Sequence, residues 1–76
     1  MRNNLEIMAN ILSLAKMGAN KTRLVYGANL NFNIIKGYIQ SVIAYQLLTK
    51  NGKLYCTTEK GKTFLVRYQN LKRMIS

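Results

Sequence analysis

A mainly α-helical chain with one small β-hairpin, joined in the order of a winged helix-turn-helix, is predicted by three features of the 76-residue sequence. Between residues 20 and 51, a short helical stretch, a glycine-containing turn and a longer amphipathic stretch follow one another. Two apolar segments then flank Asn51-Gly52, a hairpin signal. Apolar residues before and after this unit repeat at helical spacing. Helices are expected at about 3–17, 21–26, 31–46 and 58–75, with the hairpin, or wing, at about 47–57, all within one domain over 1–76.

The first helix opens at Asn3, a capping residue with Glu6 three positions on. Leu5, Met8, Ile11, Leu12 and Ala15 form its apolar stripe and Gly18 is placed to end it, so this is a core helix. The second, short helix buries Leu24 and Val25 and is expected to stop at Gly27. Ala28, Asn29 and Leu30 make the turn, with Leu30 packing back as an apolar anchor beside the cap Asn31 of the third helix. Asn51-Gly52 suits a type I′ turn between Leu47–Lys50 and Lys53–Thr57, with Lys50 and Lys53 on either side of the tip. Thr57 or Thr58 caps the last helix, and Gly61 in its first turn is tolerable near an end. Phe64, Tyr68, Leu71 and Ile75 then follow the four-three-four spacing of a coiled-coil seam. They are the expected dimerisation residues; the alternative is that Phe64 and Leu65 complete the internal core and the rest frays.

The third helix carries the most information. At about 100° per residue, Ile35, Tyr38, Ile39 and Val42 gather on one side as a stripe to be buried. Asn33, Lys36, Gly37, Gln40 and Ala44 gather on the other. That second face is slim, and Asn, Lys and Gln are types that read base edges or phosphates in a major groove. Glycine within a helix costs roughly 1 kcal/mol relative to alanine, which fits a place of close approach to another surface. The alternative is an ordinary solvated face.

Charge favours the first reading. The chain has 12 Lys and Arg against 2 Asp and Glu, a formal net charge of +10. A domain this basic usually meets a polyanion. Residues 1–20 hold only Arg2, Lys16 and Glu6, whereas ten of the basic residues lie beyond them beside a single acid, Glu59. The expected DNA-binding set is Lys21, Thr22, Arg23, Asn31, Asn33, Lys36, Gly37 and Gln40, with Lys50, Asn51 and Lys53 of the hairpin placed on adjacent phosphates or the minor groove. The alternative for the hairpin is an edge kept from aggregating by its lysines.

Three stretches carry a resemblance: LEIMANIL at 5–12, GANKTRLVYGANLN at 18–31 and KGYIQSVIAYQLLTKNGKLYCTTEKGKTFL at 36–65. Together they resemble the small basic archaeal winged-helix proteins, namely the chromatin-associated ten-kilodalton dimers of the Sulfolobales and related winged-helix regulators of archaea and their viruses. The KTR and YGANLN segments and the TTEKGKTFL opening of the last helix are the more specific parts. The resemblance implies a dimeric DNA-binding winged helix whose C-terminal helices pair antiparallel. In the family's chromatin members that helix runs further than the one ending here at Ser76, which weighs against a bridging role.

Several classes are disfavoured. There is no histidine, and Glu6 and Glu59 sit at separate helix starts, where they complement the helix dipole. No acid–base pair, Cys/His metal cluster or glycine-rich phosphate loop can be assembled, so no catalysis, cofactor, metal or small-molecule ligand is expected. Cys56, the single cysteine, alternates with Tyr55 and Thr57 in a strand and reads as a small apolar filler in a reducing compartment. No leader is evident, and no run approaches about 18 apolar residues, so no membrane partner is expected and the location expected is cytoplasmic, with the nucleoid. Three functions stay open: a transcriptional regulator with some sequence selectivity on double-stranded DNA, an architectural DNA-binding protein with little preference, and a protein-interaction module. The missing arginine on the reading face weighs against stringent recognition. The regulator is placed first.

Overall fold

The computed structural model describes residues 3–75. Its elements follow the order α1 (Asn4–Leu14), α2 (Lys21–Ala28), α3 (Phe32–Ala44), β1 (Leu48–Asn51), β2 (Leu54–Thr57) and α4 (Glu59–Ile75). This is the winged helix-turn-helix order, with β1 and β2 as an antiparallel wing.

Every helix begins on a side-chain cap. The carboxamide oxygens of Asn3, Asn20 and Asn31 accept from the backbone N–H of Glu6, Arg23 and Ile34, each at 2.8 Å. At α4 the cap is Thr58 rather than Thr57: its Oγ1 accepts from Gly61 N–H at 3.0 Å and donates to the Gln46 carbonyl at 2.6 Å. Thr57 instead turns inward and donates to the Leu12 carbonyl at 2.6 Å. Each such cap stabilises its helix by about 1 kcal/mol.

The helix ends differ from the periodicity-based expectation, and each has a local cause. α1 stops at Leu14, not near residue 17, because the chain must turn to pair elsewhere. Ala15 gives its carbonyl to Thr57 N–H at 3.0 Å, and Ala19 exchanges backbone hydrogen bonds of 2.9 and 2.8 Å with Tyr55. β2 is thus bonded on both edges, to β1 and to residue 19. Gly27 does not end α2. The helix runs to Ala28, and Asn29 takes the left-handed conformation, φ 57°, while Leu30 N–H bonds the Val25 carbonyl at 3.0 Å. The same Schellman arrangement closes α3 at Ala44, short of residue 46, with Gln46 at φ 65° and Leu47 N–H on the Val42 carbonyl at 2.8 Å. In both, the residue after the left-handed one is apolar and turns inward.

The wing tip also departs from the expected turn. Asn51 pairs with Leu54 as the last strand position, so the two loop residues are Gly52 and Lys53. Only Gly52 has a positive φ, 66°. Glycine at the first loop position is the type II′ pattern, not type I′, and it places Lys53 on the tip itself.

One core joins these elements. It contains Ile11, Leu12 and Ala15 of α1, Leu24 and Val25 of α2, Ile35, Ile39 and Val42 of α3, and Leu48, Tyr55 and Leu65 from the wing and α4. α1 is packed by α2, α3, α4 and β2, so it is buried over more than one stripe: Ile7 and Ala9 are buried too, while the predicted stripe residue Leu5 is 47% exposed. Tyr38 is half-buried at the edge of the α3 stripe and donates to Asn4 Oδ1 at 2.7 Å. Cys56 is half-buried, with its Sγ 3.7 Å from where a Cβ on Gly18 would stand. Among the described residues no buried side-chain polar atom lacks a partner.

Two glycines lie against close neighbours, and at Gly61 the absence of a side chain is a steric requirement. A Cβ on Gly61 would strike the Leu47 carbonyl oxygen and stand 2.6 Å from Thr57 Cγ2. A Cβ on Gly27 would stand 2.6 Å from Leu14 Cδ1. The first obstacle is backbone and cannot yield; the second is the end of a flexible side chain. Gly61→Ala is therefore expected to destabilise the fold by about 2–3 kcal/mol, through forced separation of α4 from the hairpin base. Gly27→Ala should stay within about 1 kcal/mol of wild type, because helix propensity offsets the displacement of Leu14. Urea midpoints of the two variants measure the difference, and equal midpoints would contradict it.

Candidate nucleic-acid interface

The amphipathic α3 sets the geometry of the surface. With Ile35, Ile39 and Val42 held in the core, the opposite side of the helix is fixed outward. Asn33, Lys36, Gly37, Gln40 and Ala44 are all exposed, as the spacing predicts. Nothing lies within 4 Å of the position a Cβ on Gly37 would take. Among the described residues, the amides of Asn33 and Gln40 have no hydrogen-bond partner within the chain. Asn31, by contrast, has its carboxamide oxygen committed to capping α3.

Four of the remaining predicted residues, Lys21, Thr22, Lys50 and Lys53, come together in one hollow. Asn20, Lys21 and Thr22 at the start of α2, together with Lys50, Lys53 and Tyr55 of the wing, line one open hollow of about 340 Å³. Two regions distant in sequence thus form a single cationic groove. The bridge of Ala19 to Tyr55 is what brings them together. Lys50 Nζ stands 5.6 Å from the Tyr55 ring centroid, and Lys21 Nζ stands 5.9 Å from the Phe32 ring centroid at the start of α3. These cation–π contacts hold the ammonium groups over apolar surface and leave them accessible. Lys21 consequently links the groove to α3. Arg23 and Asn51 are exposed but do not line the hollow.

The acids stand apart from this surface. Glu6 lies in the first turn of α1, and Glu59, in the first turn of α4, is 3.6 Å from Lys62. No carboxylate on α2, α3 or the wing opposes the lysines there. Asn20, Phe32 and Ile34 are exposed residues of this region that carry no sequence motif for it, and Tyr55 is a core residue whose ring forms one wall of the hollow. Asn20 was legible as a cap before a basic first turn. Phe32 and Ile34, each 49% exposed, were not, because apolar residues adjoining a core stripe are ordinarily assigned to the core.

The four predicted seam residues divide. Phe64 and Tyr68 are half-buried against the core, their rings stacked with centroids 6.4 Å apart. Leu71 and Ile75 are 51% and 78% exposed on a helix that stays regular to residue 75. Leu5, Phe64, Arg67, Tyr68 and Leu71 line a shallow apolar hollow there. Among the described residues there is no helix long and apolar enough to cross a membrane, and no cluster of three metal-ligating side chains.

A family model described as winged helix-turn-helix matches residues 1–76. Two uncharacterized proteins of Methanocaldococcus jannaschii are similar in sequence. One is 36% identical over 62 residues, covering 80% of this chain and 64% of its own length; the other is 28% identical over 75 residues, covering 97% of this chain and 36% of its own. The chain therefore spans less than two thirds of either relative. Its fold is similar to the crystal structure of Sso10a-2, a DNA-binding protein from Sulfolobus solfataricus, with a TM-score of 0.86, 26% identity, and coverage of 96% of this chain and 81% of that one.

Gly37 lies in open space in the middle of a helix, so Gly37→Ala should stabilise the free protein by about 1 kcal/mol. An upward shift of the urea midpoint is the readout. A lowered midpoint would reveal an internal constraint on this position.

Proposed function

This chain belongs to the winged helix-turn-helix family, and from that premise we propose that it binds double-stranded DNA, with α3 in the major groove and the wing tip at Asn51–Lys53 on the adjacent backbone or minor groove. The observation that carries the reading is the joining of two surfaces by Lys21: the slim outward face of α3, and the groove in which Lys21, Lys50 and Lys53 converge with no acid beside them. A helix of this width fits the major groove, and the ammonium groups gathered on one flank of it match phosphates of the adjacent backbone. That Sso10a-2 is a DNA-binding protein supports the same reading. Family and fold give no support to catalysis.

Within that reading the chain acts as a transcriptional regulator with partial sequence selectivity, in the cytoplasm on nucleoid DNA. It works as a homodimer through α4. The exposed Leu71 and Ile75 continue the line begun by Phe64 and Tyr68, and a two-fold pairing there would set two reading helices against one duplex.

Fluorescence anisotropy on random and genomic duplexes at several salt concentrations tests the function. A regulator keeps a preference for one short site as salt rises. An architectural protein binds all sequences alike with a steep salt slope. Absence of binding at low salt would leave a protein-interaction role. Lys36→Ala should weaken binding to every duplex and reduce the magnitude of the log–log salt slope by about one. Gln40→Ala should change preference among duplexes, and if both variants match wild type, α3 is not the reading helix.

Sedimentation analysis tests the assembly. Wild type should sediment as a dimer at micromolar concentration, and Ile75→Glu as a monomer with unchanged helical circular dichroism. A monomeric wild type would remove the dimer.

A further inference from the structure

The outward side of α3 carries a restricted chemistry. Two carboxamides, Asn33 and Gln40, stand two turns apart with Gly37 between them. Ile34 flanks them and is 49% exposed although it lies on the core-bearing helix. Ala44 extends the small, apolar part of the face. Lys36 is the helix's single cation, on the flank that also carries Phe32 and therefore toward Lys21. α3 has no arginine, aspartate or glutamate.

Base edges in the major groove call for different partners. Adenine presents an acceptor beside a donor, which a carboxamide matches with two hydrogen bonds. Thymine adds a methyl group, which apolar side chains cover. Guanine presents two acceptors, best matched by arginine, and cytosine presents a donor, best matched by a carboxylate. The free amides of Asn33 and Gln40, separated by about 10 Å along the axis, can reach base edges roughly three steps apart. Gly37 lets the backbone between them approach.

We propose, on the reading that this chain binds duplex DNA through α3, that it prefers A·T-rich sites by direct major-groove contact. Asn33 and Gln40 pair with adenine edges, and Ile34 with Ala44 covers thymine methyl groups. Lys36 and the wing groove hold phosphates and add affinity that does not depend on sequence.

The test is equilibrium binding of the wild-type chain to four duplexes of equal length at one salt concentration. They contain only A·T, only G·C, inosine·cytosine, or adenine·uracil pairs. Inosine·cytosine keeps the major-groove edge of G·C but has the minor groove of A·T, so it separates the two grooves. Uracil removes only the methyl group. The A·T duplex should bind at least about tenfold tighter than G·C. Inosine·cytosine should bind as weakly as G·C, and adenine·uracil should lose roughly fourfold per methyl group covered. In the Asn33→Ala/Gln40→Ala variant the A·T to G·C ratio should fall toward one. Equal binding of all four duplexes, inosine·cytosine bound like A·T, or adenine·uracil bound like A·T overturns the proposal while leaving duplex binding intact. Failure to bind any duplex at low salt overturns duplex binding itself, and the preference with it.

Discussion

The crossing of α4 over the Leu47 carbonyl is the constraint on which the other placements depend. At this point Gly61 has no side chain, so the first turn of α4 lies directly on the base of the wing. Thr58 binds Gln46, Thr57 binds Leu12, and Lys60 Nζ donates to the Tyr45 carbonyl at 2.9 Å. Four elements are therefore tied within a few residues: the end of α3, the wing, α1 and α4. The Thr57 contact is buried, and leaving it unmade would strand an unsatisfied group in an apolar interior, while the other two are exposed and add local tethers. The far end of α3 is fixed independently, by the left-handed Asn29 and the Asn31 cap. With both ends held, rotation of α3 about its own axis is set, and so is the face it presents.

The periodicities and caps were legible because they are local. Asn3 and Asn31 before apolar periods, the α3 stripe and the hairpin signal each depend on residues within a few positions, and each appears where the spacing puts it. What the sequence concealed depends on partners far along the chain. Gly27 reads as a terminator, yet it is an interior helical residue against Leu14 of another helix. Gly61 reads as harmless, yet it faces a carbonyl 14 positions earlier. α1 ends early because residue 19 pairs with residue 55, and Leu5 is half-exposed while Ile7 is buried because α1 has neighbours on several sides. A single-stripe reading suits a helix lying on a core, not one running through it.

The candidate surface shows the same division. The outward set on α3 follows from the helical period alone. The groove does not: Lys21 and Lys53 are drawn together by a backbone bridge at Ala19 and Tyr55 that leaves no pattern in either segment. Charge compensates in part for that blindness, since ten cations and one acid beyond residue 20 must share a small surface wherever the chain goes.

On the proposed DNA-binding reading, Gly37 is a cost to the free protein that close approach of a duplex would offset. Three glycines lie inside helices, at 27, 37 and 61, and each lowers helix stability by roughly 1 kcal/mol relative to alanine. For Gly61 the offset is internal, a close approach to backbone that any Cβ would break, and Gly27 packs against the end of the Leu14 side chain, which can move aside. Around Gly37 there is only solvent, in a small chain whose core leaves little stability to spare. An ordinary solvated helix face would gain from alanine there. A face that receives another molecule against its backbone would gain the same stability when free but lose close approach when bound, and the amides of Asn33 and Gln40 on either side of Gly37 are exposed. On the proposed reading, the lysines at its margin favour a molecule carrying negative charge.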